Sequence, residues 1–160
     1  MNVSFFQIYD EQKSMVWRLV SRYVPLKQDR EDLCQEVFLK VFKSLKHFRG
    51  EASVKTWVYR ITVNTSLSYL KKKKRNEALM SALSVFNVFS ADDKQIELDE
   101  DVFKPLGKLN PRQRMVLILA DIEDQSLDNI ADMLNVPVGT VKSNLHRARE
   151  IVKKELEKNG

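Results

Sequence analysis

The chain has 160 residues, 43% apolar and 31% charged, a balance of globular rather than disordered proteins. Four glycines and four prolines leave little punctuation for an all-β sandwich or barrel, so an all-α fold is expected. One cysteine and two well-separated histidines argue against a disulfide framework, a metal centre or a histidine triad, and the net charge of +5 points toward a polyanion partner.

The spacing over residues 4–23 predicts a first helix, with Phe5, Ile8, Tyr9, Val16, Leu19, Val20 and Tyr23 on its apolar side. Pro25 closes it, because the residue before proline is pushed out of the helical region. Asp29 is placed to cap a second helix carrying Leu33, Cys34, Val37, Phe38, Val41, Phe42 and Leu45, a wide face expected to be buried. Cys34 reads as a small core residue there. The opposite face holds Asp32, Gln35, Glu36, Leu39 and Lys43. Leu39 is either an ordinary exposed leucine or the apolar anchor of a partner-binding surface.

A glycine-marked loop, Phe48-Arg49-Gly50-Glu51, leads into a third helix with two apolar stripes. Val54, Trp57, Val58 and Ile61 form one; Tyr59, Val63, Leu67 and Leu70 form the other. Between them runs an edge of Trp57, Arg60, Asn64 and Lys71. Cations for phosphates, an indole for stacking and an amide for base edges suit nucleic acid. The run at 71–75, KKKKR, supplies further phosphate contacts, or simply complements the helix C-terminal dipole.

Charge divides the chain. Residues 1–75 hold 16 basic and 7 acidic side chains, 76–103 hold Lys94 against seven acids, and 104–160 hold 10 basic and 8 acidic. Residues 76–103 are therefore read as an acidic linker between two small helical domains, in preference to one domain with a long internal loop. VFNVF at 85–89 is apolar enough to dock on one of them.

In the second domain Asn110-Pro111-Arg112-Gln113 starts a helix: Asn as N-cap, Pro in the first turn, Gln reaching back. MVLILADI follows as a buried central helix, and Ser126 caps SLDNIADML. A short connection leads to a last helix over TVKSNLHRAREIVKKEL, completing a helix-turn-helix pattern. Asn135 stands where a left-handed residue is needed. Val141, Leu145, Ala148 and Val152 form the buried stripe, leaving Lys142, Ser143, Asn144, His146, Arg147 and Arg149 outward. Residues 121–134 carry five acids and no base, whereas 139–154 carry five bases and only Glu150, which orients the last helix toward DNA.

DREDLCQEVFLKVFKSLKHFRGEASVKTWVYRITVNTSLSYLKKKKR resembles region 2 of the extracytoplasmic-function sigma factors of bacterial RNA polymerase. LNPRQRMVLILADIEDQSLDNIADMLNVPVGTVKSNLHRARE resembles their region 4, in the family's order. The resemblance implies that Asp32, Gln35, Glu36 and Leu39 dock on the clamp helices of the polymerase's largest catalytic subunit. It implies that the 48–55 loop and third helix open the −10 element through Phe48, Arg49, Ser53, Lys55, Trp57, Arg60, Asn64 and Lys71. The last helix would read the −35 element through Lys142, Ser143, Asn144, His146, Arg147 and Arg149. Lys142 and Asn144 stand where the family often has arginine, so its promoter bases are not carried over.

The expected partners are thus core RNA polymerase, promoter DNA and an anti-sigma factor, with no cofactor, metal or catalytic residue. A stand-alone helix-turn-helix regulator is the alternative, but it has no use for the Leu39 face or the Trp-Asn-Lys edge. The first residues lack the basic-then-apolar order of a signal peptide, and no stretch approaches about 18 consecutive apolar residues, so a cytoplasmic protein is expected.

Overall fold

A computed structural model describes residues 3–84 and 104–158. The acidic run at 91–101 and the VFNVF segment lie outside the described residues. Among those described, six α-helices follow in order: α1 (Phe5–Tyr23), α2 (Lys27–Ser44), α3 (Val54–Ser84), α4 (Pro111–Leu117), α5 (Leu127–Leu134) and α6 (Val138–Lys158).

Local chemistry sets most of the boundaries. Val24, just before Pro25, is extended at φ −126°, ψ 115°, and α1 ends at the residue before it. α2 starts earlier than the sequence suggests: Leu26 is its N-cap, and Asp29 sits in the first turn, where a carboxylate complements the dipole without capping. Gly50 takes φ 72°, the left-handed conformation that turns the 48–53 loop. α3 continues through residues 76–84, the first part of the segment read as linker, since neither glycine nor proline interrupts it there.

α4 has the expected start. The Gln113 N–H donates to Asn110 Oδ1 at 2.9 Å, and the Asn110 N–H donates to Gln113 Oε1 at 3.1 Å, a closed capping box. The chain then widens into a π-type turn over Ile118–Ile122, where the Glu123 N–H reaches back to the Ile118 carbonyl at 2.9 Å. Ser126 caps α5, accepting from the Asn129 N–H at 3.1 Å. Asn135 closes α5 at φ 54°, ψ 50°, as a left-handed cap does.

α1, α2 and α3 form one bundle and α4, α5 and α6 another, with α3 also touching α4 and α5. Ile8, Val16, Leu19, Leu33, Val37 and Val58 fill the first bundle and Met115, Ile118, Leu119, Ile130, Val141 and Ala148 the second, and the two sets join in one apolar cluster. Burial of each large aliphatic chain contributes about 1.5–3 kcal/mol. α3 thus has packing partners on two sides, which accounts for a helix with two apolar stripes.

The width of the apolar face on α2 misleads in one respect. Phe42 is 60% exposed and Tyr9 on α1 is 41% exposed, although both fall in the stripes expected to be buried. Two neighbouring helices cannot cover so broad a face, and its edge stays open.

Candidate functional site

That open edge is an aromatic groove. Phe5, Phe6, Tyr9 and Trp17 of α1 face Cys34, Phe38, Leu39 and Phe42 of α2 around a volume of about 1030 Å³. Phe5 lies edge-on to Phe42 with ring centroids 5.3 Å apart, and Tyr9 packs on Phe38 at 4.8 Å. Leu39 projects into this groove and is 57% exposed. A contiguous exposed apolar surface of this kind is the chemistry of a docking site. Lys13 and Glu31 stand among its lining residues.

The four α2 residues singled out in the sequence are all exposed, and the structure divides them. Gln35 and Leu39 line the aromatic groove. Asp32 and Glu36 line a second, mixed cleft with Tyr69, Lys72 and Lys73 of α3. Phe6, Trp17 and Phe42 escaped sequence reasoning as site residues. The available signal was that α1 and α2 carry more aromatic area than one seam can bury.

The edge expected to bind DNA on α3 is less uniform. Phe48 packs against Trp57 with ring centroids 4.7 Å apart, so one part of the indole holds the loop. The Ser53 hydroxyl accepts from the Thr56 N–H at 3.1 Å and donates to Thr56 Oγ1 at 2.9 Å, which makes it the α3 N-cap. Lys55 and Arg60 are exposed and share a cleft with Arg18. Asn64 donates through Nδ2 to the Arg60 carbonyl at 3.0 Å and to the Met133 carbonyl of α5 at 3.0 Å. Arg49 is exposed in the loop, and Lys71 lies about 10 Å further along α3 than Asn64.

The helix-turn-helix is built as expected. Ile130, Ala131 and Leu134 of α5 and Val141 and Leu145 of α6 are all buried. Lys142, Ser143, His146 and Arg147 are exposed on α6, and Lys142 and Arg147 make no ion pair with any described residue. Asn144 is half-buried and donates to the Thr140 carbonyl at 2.8 Å. Arg149 forks onto Asp121, with Nε at 3.0 Å from one carboxylate oxygen and Nη2 at 2.6 Å from the other. Three of the six expected residues, Lys142, His146 and Arg147, therefore present exposed polar groups, while Ser143 donates to the Thr140 carbonyl at 3.1 Å and Asn144 and Arg149 are likewise engaged within the chain.

Among the described residues no His, Cys, Asp or Glu cluster is placed to hold a metal ion, and no helix is long and apolar enough to cross a membrane. The exposed basic face of α6 and the separate aromatic groove have the chemistry of a nucleic-acid contact and of a protein contact.

Comparison with known proteins agrees. Residues 8–76 match Sigma-70 region 2, and residues 105–152 match Sigma-70 region 4. The chain is 30% identical to the ECF RNA polymerase sigma factor SigW of Bacillus subtilis strain 168, over 96% of this chain and 89% of that protein. It is 34% identical to the ECF RNA polymerase sigma-E factor of Escherichia coli K12, over 87% of this chain and 79% of that one. The fold is shared with the sigma factor RpoE of Bartonella quintana, solved with the anti-sigma factor NepR: TM-score 0.67, 23% identity, 96% of each chain covered. It is shared too with CnrH, solved with the cytosolic domain of CnrY: TM-score 0.66, 20% identity, 98% of this chain and 89% of that one.

The chain belongs to the extracytoplasmic-function sigma factors. It is a non-enzymatic subunit that directs promoter recognition by RNA polymerase.

Proposed function

We propose that three surfaces divide the work of initiation. The aromatic groove, with Asp32, Gln35, Glu36 and Leu39, docks the clamp helices of the largest catalytic subunit of core polymerase. α6 enters the major groove of the −35 element, where Lys142, Ser143, His146 and Arg147 meet phosphates and base edges. Asn144 and Arg149 join them only when released from Thr140 and Asp121. The 48–55 loop and α3 hold the −10 strand: Arg49, Lys55, Arg60 and Lys71 on phosphates, the Phe48–Trp57 pair and Asn64 against an unpaired base. Ser53 contributes by fixing the start of α3.

One observation carries this reading. An exposed leucine sits among exposed aromatic rings on the helix that bears the family's DLCQEVFLKVF segment. Melting needs bases captured as they flip, a binding task, so catalysis stays with the polymerase. The same groove suits an amphipathic helix, and an anti-sigma factor is proposed as a second partner because RpoE of Bartonella quintana was solved with one. The site of action is the cytoplasm.

In vitro transcription with purified core enzyme and a library of promoter fragments tests the reading. Transcripts sharing a −35 and −10 pattern are expected. Failure to associate with core, or transcription without start-site specificity, overturns it.

A further inference from the structure

Beside the apolar packing of α3 on α4 and α5, the two bundles share a small set of polar contacts. Glu123, at the end of the π-type turn, has a side chain only 9% exposed. Its carboxylate lies 2.9 Å from Arg22 Nε and 3.5 Å from Arg18 Nη2, both on α1. Gln125 Nε2 approaches the Tyr59 hydroxyl of α3 at 3.5 Å. Beside them Asn64 reaches the Met133 carbonyl, one of the last-turn carbonyls of α5 that lack an intrahelical partner.

We infer that Glu123 latches the chain closed before it meets polymerase, holding the −10 residue Asn64 as a cap on the C-terminus of α5. This rests on the role proposed above for Asn64. The latch is a largely buried carboxylate between two guanidiniums that remain partly in water. Removing the carboxylate leaves both arginines free to rehydrate, so opening leaves no stranded buried charge. Asn64 has two donor hydrogens, and both of its contacts in the closed chain use Nδ2. A promoter base that accepts from this nitrogen therefore competes with Met133, and for that contact the helix-turn-helix must withdraw first. The outward face of α6 is uncovered in the closed chain, so the latch acts on −10 capture and leaves −35 contacts available.

The test uses the full chain in a Cys34→Ser background, with spin labels at Lys40→Cys on α2 and Lys154→Cys on α6. A single short distance population is expected. Glu123→Gln, which keeps shape and loses charge, should enlarge the long-distance population about tenfold, the scale of a lost charge-assisted hydrogen bond. Circular dichroism and a urea melt establish that each bundle stays folded. Free-chain affinity for a random-sequence pool of single-stranded DNA should rise about tenfold in parallel. An unchanged distance distribution in folded Glu123→Gln overturns the latch. Opening without any gain in single-strand binding upholds the latch and removes Asn64 from the −10 assignment.

Discussion

Replacing Leu39 by Asp separates a docking residue from a folding residue. Leu39 is 57% exposed, so its removal takes little from the core, and an exposed helical Leu→Asp change costs about 0.5 kcal/mol in propensity. The urea midpoint should therefore move by no more than about 0.5 M. Docking is different. Completing the burial of this side chain is worth about 1–2 kcal/mol, its exposed share of the value for a full leucine. A carboxylate placed against Phe42 and Phe6 adds a desolvation cost of about 1–3 kcal/mol. Together these predict a loss of about a hundredfold in affinity for core polymerase. Leu39→Ala, which loses apolar burial alone, should lose about tenfold. Biolayer interferometry on immobilised core enzyme measures both, with urea melts alongside. Full affinity in a folded Leu39→Asp chain would refute the interface.

Three further outcomes follow from the geometry. Asn110→Ala opens the capping box at α4 and should cost about 1 kcal/mol, read as a lower urea midpoint with unchanged slope. Arg147→Ala should leave core binding intact and weaken −35 binding; a loss of about 1–3 kcal/mol confined to one base position identifies base readout, whereas a uniform loss with a shallower salt dependence identifies a phosphate contact. Burial pushes the Cys34 thiol from 9.0 up to about 11, so at pH 8 native alkylation by iodoacetamide should run about a hundredfold slower than in urea. The unfolded thiol ionises first, so Cys34 makes stability fall as pH rises past 9.0, the reverse of a salt-bridged carboxylate.

The parts of the molecule legible in sequence are those fixed by short-range chemistry. Asn110 with Gln113, Ser126 with Asn129, and Asn135 each satisfy or permit a backbone requirement within a few residues, and each does so in the structure. The inward face of the helix-turn-helix followed from spacing for the same reason. What could not be read depends on how much of a face its neighbours cover. Phe42 and Tyr9 have the spacing of core residues, and only the finite width of α1 and α2 leaves them open. The second stripe on α3 was visible, but its partner lies in another bundle, far along the chain. Likewise nothing near Arg149 or Asn64 announces that Asp121 and Met133 occupy them.

The π-type turn at Ile118–Ile122 has a consequence for length variation. A turn closed from Glu123 back to Ile118 absorbs one more residue than an α-turn while leaving the chain on either side in phase. A chain one residue shorter here would return to an ordinary turn and still aim Glu123 at Arg22. The same deletion within α5, where no slack is stored, would swing every later side chain of that helix by about 100°. Insertions and deletions are thus silent at one point of this domain and ruinous a few residues on, and alignments of its relatives should place their single-residue gaps accordingly.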